Sequence, residues 1–152
     1  DINFQETRKE ISQMYSSIQK QIIRSADSGF NIKKDRGGLL TIDFILQVIC
    51  LGNQKTYKKC LGRSIHKLFS SLKTEIHHLD LITLKNNFYF LKQTEISIQN
   101  IFNSNNTILS LSLERNTVLA NFLKIKSAKD LEKKITDIIK SNNTLFEKYV
   151  GK

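Results

Sequence analysis

Apolar residues recur along this chain mostly at steps of three and four, the spacing that lines one face of an α-helix. In residues 4–26, Ile11, Met14, Tyr15, Ile18 and Ile22 form such a stripe. Asn3 followed by Glu6 suits a capping box at its start. Residues 54–79 are the most regular stretch. There Tyr57, Leu61, Ile65, Leu68, Leu72, Ile76 and Leu79 predict one long helix, with Asn53 as its cap. Residues 81–103 carry Leu81, Leu84, Phe88, Leu91, Ile98 and Phe102, with Asp80 as the expected cap. Glu95 falls where an apolar residue belongs, and Ile96 is the expected substitute. In residues 107–125 the stripe is Ile108, Leu111, Val118, Phe122 and Ile125. Serines alternating with Leu109, Leu111 and Leu113 leave 107–113 open to an extended reading. Residues 128–149, capped by Ser127, place Leu131, Ile135, Ile138, Leu145 and Tyr149 on a heptad, with Asn142 in one core position.

One stretch departs from this amphipathic rule. Residues 39–51 are apolar almost throughout, with Gly37 and Gly38 before them and Gly52 after. As a helix, their polar residues Asp43 and Gln47 make one narrow stripe with Cys50 beyond, which marks a helix wrapped by its neighbours. As a strand, they also alternate well. A length of 13 residues favours the helix, and is short of the roughly 20 apolar residues a bilayer span needs. The expected fold is therefore all-α: a single-domain bundle over residues 1–152, with five to six amphipathic helices around the helix at 39–51. The 12-residue connection at 27–38 is the longest one, pinned by Phe30 and Ile32 and hinged at Gly37 and Gly38.

Composition adds one point. Proline is absent and 39% of residues are hydrophobic, enough for a core without metals or disulfides. The net charge is +10 and concentrated, since residues 24–73 carry ten Lys or Arg against three acids. Lys55, Lys59, Arg63 and Lys67 form a ladder on the outer face of the helix expected at 54–79, and Lys33, Lys34 and Arg36 crowd the loop at 31–37. Like charges at this helical spacing repel slightly, and an acidic partner would relieve them.

The pattern supplies little chemistry. Cys60, His66, His77 and His78 lack metal-ligand spacing, and there is no glycine-rich phosphate loop or local nucleophile signature. No metal, cofactor or catalytic grouping is expected. Cys50 and Cys60 read as free thiols, although a bridge across the turn at Gly52 is geometrically open. Asp43 is the one acid in an apolar setting, the place to look for an acid/base group. Carboxylates are almost never fully buried unless paired, so it reads as part of an exposed stripe with Gln47. A helix-turn-helix test around Gly52 fails at Val48, Asn53 and Lys58. Asn105 and Asn142 head formal glycosylation sequons that read as accidental in so Asn-rich a chain.

The expected function is a non-catalytic interaction module that binds another protein, with Lys33, Lys34, Arg36, Lys55, Lys59, Arg63 and Lys67 as contact residues. The alternative is a polyanion, nucleic acid or sulfated glycan, bound by the same cations.

Overall fold

The computed structural model describes residues 3–22, 29–103 and 105–151, and among these the chain is all-α apart from one two-stranded ribbon. The apolar stretch after Gly38 is a helix, α2 (Leu39–Cys50). Eight of its twelve residues are buried, with Ile42 and Ile45 wholly enclosed. It packs against α1 (Phe4–Gln21), α3 (Gln54–Cys60), α5 (His78–Phe102) and α7 (Ala128–Tyr149). Rings meet at its α1 and α7 faces: Tyr15 lies 5.2 Å from Phe44, edge to face, and 4.3 Å from Phe146.

The caps at Asn3, Asn53 and Ser127 form as expected, each side-chain oxygen accepting a backbone N–H three residues on. In α1, Ile11 and Tyr15 are buried but Met14 is half exposed, since the helix packs on α2 along a narrower seam. Of the helix expected at 4–26, residues 23–26 lie outside the described residues, as do 27 and 28 of the loop that follows.

Several expectations are corrected. First, residues 54–79 are not one helix. They form α3 and a second short helix, α4 (Ile65–Ser71), and the seven helices described exceed the five or six expected. Gly62 stands at φ +69° in the left-handed region, which ends a helix and favours glycine. Leu61 and Leu79 of the expected stripe are 66% and 64% exposed, while Leu72 and Ile76 are buried in the connection to α5.

Second, the expected helix at 107–125 does not begin at 107, where the chain instead forms a short strand. Strand β1 (Phe30–Asn31) pairs antiparallel with β2 (Ile108–Leu109), and α6 (Leu113–Phe122) starts afterwards. Of the stripe expected there, Val118 and Phe122 on α6 and Leu111 before it are exposed, while Ile108 and Ile125 are half-buried. The inner face is Asn116, Leu119 and Ala120, turned toward α7, where the Asn116 amide donates to Glu132 at 2.9 Å.

Third, Glu95 does not yield its place to Ile96. Glu95 is buried and paired with Lys92 at 2.5 Å, and Ile96 is exposed. Nor does Asp80 cap α5, which begins after His77. Asp80 instead ties α5 to the end of α7, accepting from Lys148 Nζ at 2.6 Å and the Tyr149 hydroxyl at 2.5 Å.

The loop before α2 is bound to its surroundings, not hinged. Asn31 Oδ1 accepts the backbone N–H groups of Lys33 and Lys34 and the Thr107 hydroxyl. Gly37, at φ +89°, lies so close to α7 that a Cβ would meet Ile139 Cγ2 at 2.7 Å and its carbonyl oxygen at 2.9 Å. Asn142 locks this contact. It is fully buried, its amide donates to the Gly37 carbonyl at 2.7 Å, and its oxygen accepts from Asn87 of α5 at 2.8 Å. The sequon at Asn142 is therefore inaccessible in the folded chain. Among the described residues, no helix is long and apolar enough to cross a membrane.

Candidate functional site

The break between α3 and α4 opens a largely apolar hollow. Residues that one continuous helix would have pressed onto the core instead line a cavity of about 300 Å³ beside α2. Leu46, Gln47, Cys50 and Asp43 of α2 form one wall, continued by Leu51. Tyr57 and Cys60 of α3, Leu61 at the break, and Ile65 and Leu68 of α4 form the other. The lining is apolar except toward Asp43 and Gln47. Leu61 stands at the lip, mostly exposed, next to a glycine with open space around it.

The two thiols meet in this hollow. Both are free; Cys60 is buried and Cys50 half-buried. Burial pushes the Cys50 thiol well above its ordinary value, and its contact with the Cys60 thiol adds to that. Both side chains pack as small apolar parts of the wall.

Asp43 is half-buried between this cavity and a second, smaller hollow of about 230 Å³ that also touches Lys33, Ile65, Lys92 and Glu95. Burial raises its carboxyl pKa, Lys92 and Lys33 pull it down, and Glu95 pushes it up. It is more enclosed than an exposed stripe would leave it, and it makes no hydrogen bond or salt bridge among the described residues. No hydroxyl or thiol nucleophile hydrogen-bonds to it among the described residues. Among the described residues, no three His, Cys, Asp or Glu side chains gather as a metal site would require.

The seven cations expected to share a surface are divided. Lys33, Lys34 and Arg36 are exposed on the turn before α2 but diverge. Lys33 borders the hollow by Asp43, whereas Arg36 turns toward α1 and α7 and pairs with Glu147 at 2.8 Å. The Lys34 carbonyl accepts the Gln19 amide at 2.9 Å, which fixes that end of the turn to α1.

Lys55, Lys59, Arg63 and Lys67 do not form a ladder on one helix, because Gly62 interrupts it. Lys55 and Lys59 lie on α3, Arg63 in the break and Lys67 on α4. Lys59 is half-buried and pairs with Glu75 at 3.3 Å, and this contact holds the Glu75 carboxyl below its usual value. Lys55, Arg63 and Lys67 are exposed and make no salt bridge among the described residues. They alternate in sequence with the side chains that wall the cavity: Tyr57, Cys60, Leu61, Ile65 and Leu68. Tyr57 is thus occupied in the wall and not free to stack on a base.

The cavity itself was not read from the sequence. Its signal was Gly62, the one glycine inside the otherwise regular pattern at 54–79. The outer side of α4 is braced by α5: the His66 ring stacks on Tyr89, centroids 5.4 Å apart, and the Nδ1 of His66 and the Tyr89 hydroxyl share a hydrogen bond.

Two comparisons with known proteins bear on this chain. It matches no protein-family model. It is 25% identical over 99 residues to a bifunctional glutamine synthetase adenylyltransferase/adenylyl-removing enzyme from Haemophilus ducreyi, a match covering 51% of this chain and 10% of that enzyme. The chain thus spans about a tenth of the length of the curated relative it matches.

Proposed function

We propose that this chain is a non-catalytic helical-bundle module, organised around α2, that binds another protein through the basic segment of α3 and α4. The observation that supports this most is the set Lys55, Arg63 and Lys67: exposed, without salt bridges among the described residues, and interleaved with an apolar cavity wall. Cations without a salt bridge among the described residues are suited to an acidic partner, and an Arg beside apolar surface is a frequent energetic anchor. Lys33 is a secondary contact. Arg36 and Lys59 are weaker candidates than the sequence suggested, because each already has a carboxylate.

The test is to pan a random peptide library against the wild-type chain and an Arg63→Glu/Lys67→Glu variant. Acidic peptides selected by the wild type and lost by the variant support the reading; identical selection by both removes this surface. The polyanion alternative is separated by salt. Heparin or oligonucleotide binding that persists at physiological ionic strength would replace the protein partner with a polyanion.

The likeness to an adenylyltransferase favours a second reading, in which the chain is a helical part of a protein that transfers or removes adenylyl groups. Incubating the chain with radiolabelled ATP and a glutamine synthetase tests it. Label transferred to the synthetase would put this reading first.

A further inference from the structure

We infer that the hollow between α2 and the α3–α4 segment receives a single large apolar side chain, Leu, Met or Phe, from an acidic segment of a partner protein. This rests on the reading of α3 and α4 as a protein-binding surface and adds the chemistry of what docks there.

Four features of the site carry the inference. A volume of about 300 Å³ is at the small end of the range for ligand pockets, which runs from about 300 to 1,000 Å³. It suits one anchoring side chain better than a whole cofactor. The lining is chiefly Leu46, Leu51, Leu61, Ile65, Leu68 and two cysteines, so the occupant gains by leaving water, not by hydrogen bonding. Leu61 is two-thirds exposed at the lip, an apolar group that docking would cover. The segment forming the outer wall bears Lys55, Arg63 and Lys67, while Asp43 marks the opposite wall. Charge complementarity therefore orients the occupant, with its acidic residues over α3 and α4 and away from α2. An apolar anchor in a groove with charged flanks is a familiar way for a folded domain to hold a short segment.

The experiment uses twelve-residue peptides panned from a random library on the full chain. Selected peptides are expected to carry one large apolar residue beside Asp or Glu. Replacing that residue with Ser should weaken binding about tenfold or more, as loss of a central anchor does. On the protein, Leu61→Glu should cause a similar loss. Leu111→Glu, the same charge change at another exposed leucine, should not. Methyl resonances of Leu46, Ile65 and Leu68 should shift on binding. Acid-dependent binding unaffected by the Ser replacement, with those methyls unmoved, overturns the anchor and leaves the basic surface standing. Binding that needs the apolar residue but is equally tight in Arg63→Glu/Lys67→Glu overturns the basic-surface reading instead. A library that yields no binder overturns both.

Discussion

The contact of α7 with α2 and the α3–α4 segment are built on opposite principles. Where α7 meets α2 and α5, buried aliphatic side chains surround a satisfied polar link, Asn142 between Asn87 and the Gly37 carbonyl. Both the amide nitrogen and the oxygen of Asn142 have a partner, and Gly37 is pressed against Ile139 with no room for a methyl. The α3–α4 segment has two seven-residue helices, a left-handed glycine with open space around it, an exposed leucine and three cations without salt bridges among the described residues. A buried polar network that is fully satisfied fixes one arrangement. Short helices with few buried groups open at lower cost, and binding segments are drawn from that end of the stability range. The difference marks the first region as one that holds the fold and is in keeping with the proposal that the second meets a partner.

Substitutions that break this comparison should rank accordingly. Asn142→Ala should have the largest effect: it orphans two buried groups and leaves a cavity, at a cost of about 3–4 kcal/mol, read by urea unfolding. Gly37→Ala comes next, at about 2–3 kcal/mol, because a Cβ there clashes with Ile139 in addition to straining the backbone. Gly62→Ala sharpens the contrast. Its backbone is also left-handed but a Cβ would meet nothing, so it should cost only about 1 kcal/mol.

The smallest effect concerns Asp80. Burial pushes its carboxyl up, but the hydrogen bonds from Lys148 and Tyr149 outweigh that and hold it below the usual carboxylate value. A depressed folded pKa contributes stability above the unfolded value of about 3.9, and that contribution is lost as pH falls through the folded one. Asp80→Asn should therefore lower stability by a roughly constant amount above about pH 4, and the two proteins should converge as pH falls further and the Asp80 carboxyl is protonated. Thermal melts across pH measure it.

The same contrast explains what the sequence revealed. In α7 the heptad positions Leu131, Ile135, Ile138 and Leu145 are all buried, because one face is apolar and the other strongly polar. α2 was legible because so little polar surface interrupts it. In residues 54–79 the apolar period runs unbroken across Gly62, so periodicity alone joins two helices that the backbone separates. The cavity followed from that missed break. In α6 two faces compete at helical spacing, Val118–Phe122 and Asn116–Leu119–Ala120, and packing on α7 selects the less hydrophobic one. The cations were visible one by one, but their division depended on carboxylates distant in sequence, Glu75 for Lys59 and Glu147 for Arg36.

The most direct test is amide hydrogen exchange of the chain, free and saturated with a peptide selected by panning. The account predicts that amides of residues 54–71 exchange fastest among the helices of the free protein and slow on binding, while those of α7 are slow in both states. Protection appearing in α7 or α6 with residues 54–71 unchanged would contradict it.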